Sequence, residues 1–515
     1  MDVVFGATGF LGRWTVLHLL GRGRRVAAVV RDPGGLSDWL VDHGADVERL
    51  LFVAGDITAG PGLGLSAEDD ERLVGARDVF NVAARYRFGL SREEAQAVNV
   101  DGAVNVLRWA GTRPELHGLV HVSGYRVGLD PEPRWPLPEA ELAESYRSKG
   151  AYEGSKTEAD AAVRVLAAQL GIPLTVVNPS SVIGHSATGE AGQYLGLADL
   201  VRQLWTGKLP ALPGTARTFV PVVTVDHFAE FLATLTEPGG RHWVLDEHTP
   251  NLPELVRLLA GHLGVPAPKL RVPVGLVRRL PTAVTGADPE TLTFLTEDRY
   301  DTESAKVVGP PHPPVESALR RWADRLVADG FGAAPAPVPG GFEDVGGART
   351  YVAGERNTPE VVLLNGLSAD DRMWQDVHGQ ASALLADLPG LGRSGRATVE
   401  PEDWLAELLA PVRSRPVLVA HSVAAAPALR YAAAHPGGIA GVILVSPPFL
   451  EDTPLELRVG RNSRAGAARS ERRWARAADD PAERRVLRAL ATEIGALTTP
   501  DPAQLPALVR RFADA

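Results

Sequence analysis

The sequence predicts an α/β protein: a parallel-sheet domain with a small cap, followed by a second α/β domain. Short β-branched runs alternate with helical stretches in both parts of the chain, and this alternation is typical of strand–helix units around a parallel sheet. A run of proline, glycine and alanine at residues 332–341 predicts an extended linker. The 515 residues, 45% of them hydrophobic, suffice for two large packed domains. We therefore expect domains at residues 1–331 and 342–515, joined by the linker at 332–341.

The predicted strands are short apolar runs rich in β-branched residues. In the first domain they are residues 3–5, 26–30, 50–53, 78–82, 119–122 and 174–177. In the second domain they are residues 361–364, 383–386, 417–419 and 442–445. Continuous apolar runs of this kind are typical of strands buried on both faces of a parallel sheet.

The composition excludes several kinds of protein. The chain has no cysteine, which removes disulfides, thiolate metal sites and cysteine nucleophiles. The formal net charge of −10 argues against a nucleic-acid partner. Neither a long apolar run nor a basic-then-apolar start is present, so we predict no membrane span and no secretory signal. We expect a soluble, cytoplasmic protein with no metal and no membrane partner, and a homodimer is left open.

A glycine-rich turn joins the first predicted strand to the first predicted helix. Residues 2–5 run into Gly6-Ala7-Thr8-Gly9-Phe10-Leu11-Gly12, and apolar residues then continue at helical spacing. Glycines permit a tight turn and a close approach to a pyrophosphate, and the helix N-terminus presents unpaired N–H groups to it. The sequence therefore predicts a Rossmann-type dinucleotide site. Its residues are Gly6, Thr8, Gly9, Phe10, Leu11 and Gly12.

Arg31 follows the second predicted strand, nineteen residues after Gly12. NAD sites usually have a carboxylate here on the ribose 2′-hydroxyl, whereas a guanidinium suits a 2′-phosphate. Asp32 comes next and could still bind the hydroxyl. The pair favours NADP over NAD and leaves NAD open.

Tyr152 and Lys156 lie four residues apart, which places them on one face of a helix. Lysine is rare in this chain, so a lysine at this spacing stands out. A nearby ammonium lowers the pKa of a phenol, and we expect the pKa of Tyr152 to fall from about 10 toward neutrality. Tyr152 would then protonate the alkoxide formed by hydride transfer, or accept the hydroxyl proton in the reverse direction.

In the order of these motifs, residues 2–328 resemble the extended short-chain dehydrogenase/reductase family. The further matching segments are 55–57, 81–84, 99–105, 178–184 and 219–226. The resemblance implies that Asp56 contacts adenine, that residues 81–84 line the cofactor and that residues 178–184 surround the nicotinamide. Beyond the glycine turn, the residues assigned to the cofactor are Arg31, Asp56, Ile57, Ala83, Asn99, Lys156 and Pro179.

Within that family, residues 55–66 and 185–189 are similar to the branch related to thioester, fatty-acyl and 3-keto-acyl reductases. This similarity implies a hydrophobic small-molecule substrate with a keto-acyl, acyl-thioester or polyketide-like carbonyl. The leading hypothesis is thus an NADP(H)-dependent oxidoreductase acting on such a carbonyl. Two alternatives stay open: a nucleotide-sugar epimerase or dehydratase, and a non-catalytic NADP-binding sensor or scaffold.

The chain departs from the family at its third catalytic residue, a serine or threonine after the fifth strand. That position is Gly124, which cannot donate a hydrogen bond to the carbonyl. Ser123 is the first substitute, but adjacent side chains on a strand point to opposite faces, so Ser123 serves only if the strand end bends. Tyr125 is the second substitute. We assign Ser123 provisionally to the catalytic group with Tyr152 and Lys156.

Residues 342–450 resemble the α/β-hydrolase fold. The match rests on residues 361–367, 386–395 and 417–425, and it makes Ser422 the nucleophile at a strand–turn–helix elbow, with the N–H groups of Val423 and Leu367 as oxyanion hole. Ala420 and Ala424 stand where the elbow usually has glycines.

The expected catalytic triad does not close. This fold places an acid and then a histidine after the serine, yet the last histidine of the chain is His435, in the helix after the elbow, and His421 precedes the serine. His378, which precedes the serine, or His185 of the first domain would complete the triad only through an unusual arrangement. We therefore expect a hydrolase-like domain without hydrolase activity, with Ser422 as a vestigial nucleophile. We also expect its C-terminal strands to be lacking, which would leave an unfinished sheet edge near 442–445. Three explanations stay open: a shortened reading frame, a second chain that completes the sheet, and a degenerate domain.

Overall fold

The computed structural model describes residues 1–87, 89–277, 290–332, 338–366, 374, 377, 381–396 and 399–447, and the backbone of 497–498. The chain divides into two compact units. The first comprises Met1–Leu197, Pro210–Leu258 and Pro268–Trp322, and the second Ala198–Leu209, Leu259–Ala267 and Ala323–Ala515. The division at 332–341 stays a prediction, although the strand Gly340–Val345 includes two glycines that we assigned to the linker.

The first unit is built on a seven-stranded parallel sheet with the strand order β10-β6-β5-β4-β1-β2-β3. The six predicted strands of this sheet are confirmed, whereas the edge strand β10 was not predicted. The strands of this part of the chain are β1 Asp2–Phe5, β2 Val26–Val30, β3 Leu50–Ala54, β4 Asp78–Asn81, β5 Gly118–Val122, β6 Leu174–Pro179, β7 Ser181–Ile183, β8 Ala211–Pro213, β9 Val222–Thr224, β10 Arg241–Val244 and β11 Leu270–Val272.

Helices cover both faces of this sheet, as strand–helix units require. The helices in this part of the chain are α1 Phe10–Gly21, α2 Leu36–Asp42, α3 Ala67–Arg72, α4 Arg92–Ala95, α5 Gly102–Ala110, α6 Glu139–Lys149, α7 Ala151–Leu170, α8 Leu197–Trp205, α9 Val225–Thr234, α10 Leu252–Leu263, α11 Val274–Val277, α12 Glu303–Val308 and α13 Val315–Ala328. A π-helix at Gln96–Asp101 leads into α5.

Alternate residues of each strand enter two separate cores. Val4 of β1 packs with the apolar residues of α1 and α9, whereas Val3 and Phe5 pack with those of α5 and α7. The strand order reverses between β1 and β4. In open α/β sheets, ligands bind outside the carboxyl ends of the strands at such a reversal, so this edge positions the site.

The second unit also contains a seven-stranded sheet, in the order β12-β13-β15-β14-β16-β17-β18. Its strands are β12 Gly340–Val345, β13 Ala348–Gly354, β14 Val361–Leu364, β15 Ala383–Ala386, β16 Val417–His421, β17 Gly441–Val445 and β18 Leu497–Thr498, and the described helices that follow α13 are α14 Pro401–Leu409 and α15 Ala425–Ala434. The four predicted strands are confirmed. At one edge, β12 and β13 form an antiparallel hairpin, and β13 pairs antiparallel with β15; we did not predict this hairpin.

The expected unfinished edge at residues 442–445 is wrong. The short strand β18 pairs in parallel with β17, with Ile443 opposite Leu497 and Leu444 opposite Thr498. Backbone groups at a strand edge gain hydrogen bonds from any strand that reaches them, and a segment more than 50 residues further along the chain does so here. Among the described residues, no helix is both long and apolar enough to cross a bilayer.

Candidate active site

The glycine turn has a backbone that only glycine fits. Gly6 has a φ of +83°, and a Cβ there would lie 2.7 Å from the Cα of Ala83. A Cβ on Gly12 would lie 2.0 Å from the carbonyl oxygen of Gly6. Helix α1 begins directly after Gly9. Both Thr8 and Gly9 are exposed to solvent. The turn thus joins β1 tightly to α1 and to the end of β4, and it leaves the free N–H groups of the helix start open to a ligand.

The ends of β2 and β3 place Arg31 and Asp56 at the same sheet edge. Arg31 is exposed and makes no hydrogen bond to the described residues. One Asp56 oxygen accepts hydrogen bonds from the N–H and the hydroxyl of Thr58, at 2.9 and 2.8 Å. These hydrogen bonds and the charge of Arg31 hold the pKa of Asp56 below its ordinary value. The carbonyl of the next residue, Ile57, is fixed by the Asn105 amide at 2.9 Å.

Asn99 links the segment after β4 to helix α7. It lies buried in the π-helix, a distortion often found at functional sites. Its side-chain oxygen accepts from the N–H of Arg85 at 2.8 Å, and its amide donates to the hydroxyl of Ser155 at 2.9 Å. Asn99 therefore holds the strand end next to Ala83 in place against the helix that carries Tyr152 and Lys156.

Lys156 is buried on α7, and its Nζ donates to the carbonyl oxygen of Val122 at the end of β5, at 3.0 Å. Burial lowers the pKa of Lys156 to about 8, against the attraction of Asp160 and Glu153. The buried amine thus loses part of its charge just above neutral pH.

Tyr152 lies one turn before Lys156 on α7, with its ring against that of Tyr86 at a centroid distance of 4.7 Å. Burial, followed by the neighbouring Tyr86 and Glu153, raises the pKa of Tyr152 well above 10. Our expectation that Lys156 lowers this pKa toward neutrality is wrong, because burial is the largest influence on the Tyr152 phenol and raises its pKa. The phenol is therefore fully protonated at neutral pH.

The segment after β5 gives its three residues different surroundings. The hydroxyl of Ser123 donates to Asp160 on α7 at 3.0 Å, and both side chains are buried. A Cβ on Gly124 would meet only Val127, at 3.9 Å. Tyr125 is buried, and its hydroxyl has no hydrogen-bond partner among the described residues. Ser123 therefore already has a partner, and its catalytic role stays a prediction.

The same edge continues at the end of β6. The carbonyl oxygen of Pro179 accepts from the N–H of Tyr125 at 3.1 Å. Next to it, the side chains of Asn178 and Ser180 are buried, and within the described residues their polar atoms have no hydrogen-bond partner. Buried polar groups normally have partners, so a polar ligand such as a dinucleotide fits this edge. In the described ranges, no three acidic or histidine side chains are grouped to hold a metal.

Two residues that sequence reasoning missed belong to this site. Asp160 holds the Ser123 hydroxyl, and Tyr86 packs on Tyr152. The spacing of Asp160, four residues after Lys156 on α7, was a signal for the first. Tyr86 lies in a loop, and no periodic pattern marks it.

Ser422 in the second unit has the geometry expected of an elbow. It follows β16 directly, opens a 3₁₀ turn before α15, and has a φ of +54°, which is strained for a residue with a side chain. A Cβ on Gly366 would lie 2.7 Å from the Cβ of Ser422. His421 is partly buried, and in the part of the chain that the structure describes its Nδ1 has no partner. The ring of His435 stacks on the ring of Tyr431. Leu367 and His378 lie outside the described residues.

Comparison with known proteins agrees with both units. Residues 4–232 match an NAD-binding family described as Male sterility protein, and residues 361–514 match the alpha/beta hydrolase family. Tetraketide alpha-pyrone reductase 1 of Arabidopsis thaliana is 29% identical over 289 residues, 52% of this chain and 82% of that protein. The first unit is thus similar to this NAD-binding family and to a reductase, in line with the predicted resemblance to extended short-chain dehydrogenase/reductases.

Two further proteins resemble the first unit. Cinnamoyl-CoA reductase CAD2 of Medicago truncatula is 30% identical over 195 residues, 35% of this chain and 57% of that protein. The crystal structure of the terminal R domain from the myxalamid PKS-NRPS biosynthetic pathway covers 65% of this chain and 92% of its own, with a TM-score of 0.50 and 23% identity, which shows a shared fold. The predicted fold class, the resemblance to this family and the NADP or NAD cofactor class are confirmed. The roles of the single site residues stay predictions.

Proposed function

We propose that the first unit, called the reductase unit from here on, is an NADP(H)-dependent enzyme that reduces the carbonyl of a hydrophobic keto-acyl, acyl-thioester or polyketide-like substrate. The observation that carries the proposal is the placement of Tyr152 and Lys156 on α7, with Lys156 bonded to the last carbonyl of β5. Two relatives are named as reductases of a tetraketide alpha-pyrone and of cinnamoyl-CoA, and these names support this substrate class.

Each residue has a task in that reaction. When bound, NADPH supplies the hydride. Tyr152, protonated at neutral pH, donates the proton to the carbonyl oxygen as it gains charge. Lys156 would hold the ribose hydroxyls of the cofactor. The glycine turn and the start of α1 would bind its pyrophosphate. Asp56 would contact its adenine.

The exposed guanidinium of Arg31 favours NADP over NAD. Arg31 lies close enough to Asp56 to influence its pKa, so it stands beside the proposed adenosine end with its side chain free for a 2′-phosphate. Asp32, the alternative ligand for a 2′-hydroxyl, accepts from the N–H of Gly34 at 3.0 Å. That hydrogen bond occupies one oxygen of Asp32 and supports the preference for NADP.

A non-catalytic NADP sensor is the second candidate, because Gly124 lacks the expected hydroxyl and Ser123 is bonded to Asp160. A nucleotide-sugar epimerase or dehydratase is the third, and it would retain its cofactor through turnover. The three candidates differ in one measurement, the oxidation of NADPH in the presence of ketones, aldehydes and acyl thioesters.

The test compares the wild-type chain with Tyr152→Phe. We expect the wild type to oxidise NADPH with at least one hydrophobic carbonyl substrate. The variant should lose about 10²–10⁴-fold in kcat, the usual contribution of a general acid, while its NADPH affinity stays within a few fold. Unchanged turnover would remove Tyr152 from the reaction. Tight NADPH binding without oxidation by any substrate would support the sensor.

We propose that the hydrolase-like unit has no hydrolase activity. Ser422 keeps the elbow, but within these 515 residues no histidine follows His435. A serine hydroxyl needs a base to attack at neutral pH, and among the described residues none contacts Ser422 as that base. The unit would then act as an interaction or packing domain.

A further inference from the structure

The segment after β5 contains one hydroxyl that is not yet used. Ser123 donates to Asp160, Gly124 has no side chain, and the Tyr125 hydroxyl is buried without a partner in the described part of the chain. Leaving a buried hydroxyl without a hydrogen-bond partner destabilises the folded protein. A hydroxyl kept in this state at a ligand-binding edge points to a bound molecule as its partner.

The backbone of Tyr125 is held on both sides. Its N–H donates to the Pro179 carbonyl at the end of β6, at 3.1 Å, and its carbonyl accepts from the indole of Trp243 on β10 at 3.0 Å. Its ring meets the ring of Tyr300 edge-on, at a centroid distance of 5.3 Å. These contacts fix the phenol before a substrate arrives, which is the condition for effective stabilisation of developing charge.

Tyr125 also lies near the proposed proton donor. It contributes to the raised pKa of Tyr152, and Glu153, the residue after Tyr152, contributes to the raised pKa of both phenols. Tyr125 is therefore a neutral hydroxyl donor at neutral pH, close to the residue that would meet the substrate oxygen.

We propose that the hydroxyl of Tyr125 donates to the substrate carbonyl the hydrogen bond that a serine or threonine at position 124 would otherwise supply. This proposal rests on the proposed reductase function. It makes Tyr125 a catalytic residue and explains how the unit can work without a hydroxyl at position 124. Two phenols, Tyr125 and Tyr152, would then share the carbonyl oxygen, one as hydrogen-bond donor and one as proton donor.

The first experiment removes the Tyr125 hydroxyl and then replaces it from position 124. Tyr125→Phe should lower kcat by about 10²-fold, the cost of losing one such donor, with NADPH affinity within about twofold. Tyr300→Phe, which removes the neighbouring hydroxyl, should keep the wild-type rate. Adding Gly124→Ser to Tyr125→Phe should recover roughly tenfold or more, because a Cβ at residue 124 meets only Val127 at 3.9 Å. Adding Gly124→Ala should recover nothing. Equal rates for Tyr125→Phe and Tyr300→Phe would overturn the proposal.

The second experiment does not need turnover. Carbonyl-¹³C acetophenone is bound together with NADP⁺, which cannot reduce it, and the infrared stretch of the bound carbonyl is recorded. A hydrogen bond from Tyr125 lowers this frequency in the wild type and in Tyr300→Phe but not in Tyr125→Phe. That pattern in a chain without NADPH oxidation would uphold Tyr125 and reject the reductase proposal. An identical band in all three proteins would reject Tyr125, and a missing bound band would reject both.

Discussion

Replacement of Lys156 tests the electrostatics of the proposed active site directly. Lys156 is buried, and its pKa falls from the ordinary 10.5 to about 8. At about 1.4 kcal/mol per pH unit, this difference means that the folded state disfavours the charged amine by about 3 kcal/mol. Lys156→Met removes the amine and its hydrogen bond to the Val122 carbonyl together.

The sign of the pH effect follows from which state binds the proton. The pKa of Lys156 is lower in the folded state, so between pH 8 and 10.5 the unfolded chain binds more protons, and the free energy of unfolding rises with pH. From pH 7 to 9.5 the wild type should gain about 2 kcal/mol relative to Lys156→Met. The unfolding transition to measure is the one that moves to higher stability when NADPH is added, because a ligand stabilises the unit that binds it.

The pKa itself is measured by NMR with ¹³Cε-labelled lysine. The chain has five lysines, so the spectrum should contain five signals. One signal should titrate near pH 8 and disappear in Lys156→Met, whereas the Lys306 signal should titrate above the ordinary value, because Glu303 and Glu247 stabilise its charge. If the signal lost in Lys156→Met titrates near 10.5, burial does not dominate at this position and the account of the site is wrong.

The glycine turn and the elbow give three further predictions. Gly12→Ala places a Cβ against backbone and should destabilise the first unit by about 1–3 kcal/mol or more, as thermal melts would show. The Cβ of Gly9→Ala would lie 3.2 Å from the Gly6 oxygen, so this variant should fold normally yet weaken NADPH binding roughly tenfold or more in a fluorescence titration. Equal losses of stability in the two variants would contradict this view of the turn. Ser422→Gly should raise the stability of the second unit by about 1 kcal/mol in urea unfolding, because it relieves a strained φ. Ser422→Ala should leave NADPH oxidation and esterase background unchanged, and an esterase signal lost on this change would show an active hydrolase.

The strands buried inside the two sheets could be predicted from the sequence, because burial on both faces requires continuous apolar runs. Strand β10 was not predicted because it lies at the sheet edge and contains Arg241 and His242, which interrupt its apolar pattern. The β12–β13 hairpin did carry a signal. Gly346-Gly347 stands between its strands with φ of +58° and +70°, as two-residue hairpin turns require.

The sequence could predict which residues lie at the candidate site, but not which hydrogen bonds they make. The residues at the strand ends follow from motif order, but the hydrogen bond between Ser123 and Asp160 joins residues 37 positions apart and depends on how α7 packs on β5. The pKa of Tyr152 could not be derived from the spacing to Lys156 alone. Spacing shows which charge is near, whereas burial, which raises this pKa, is a property of the folded unit.

The two shifted groups together favour one direction of the proposed reaction. Burial raises the pKa of Tyr152 and lowers that of Lys156, so it favours the uncharged form of both side chains. Reduction of a carbonyl requires a protonated phenol, which this site already has at neutral pH. Oxidation of an alcohol requires the phenolate, whose small fraction grows about tenfold per pH unit below the raised pKa. The raised pKa therefore supports proton donation in the proposed reaction, and oxidation should speed up as the pH rises from neutral toward 10.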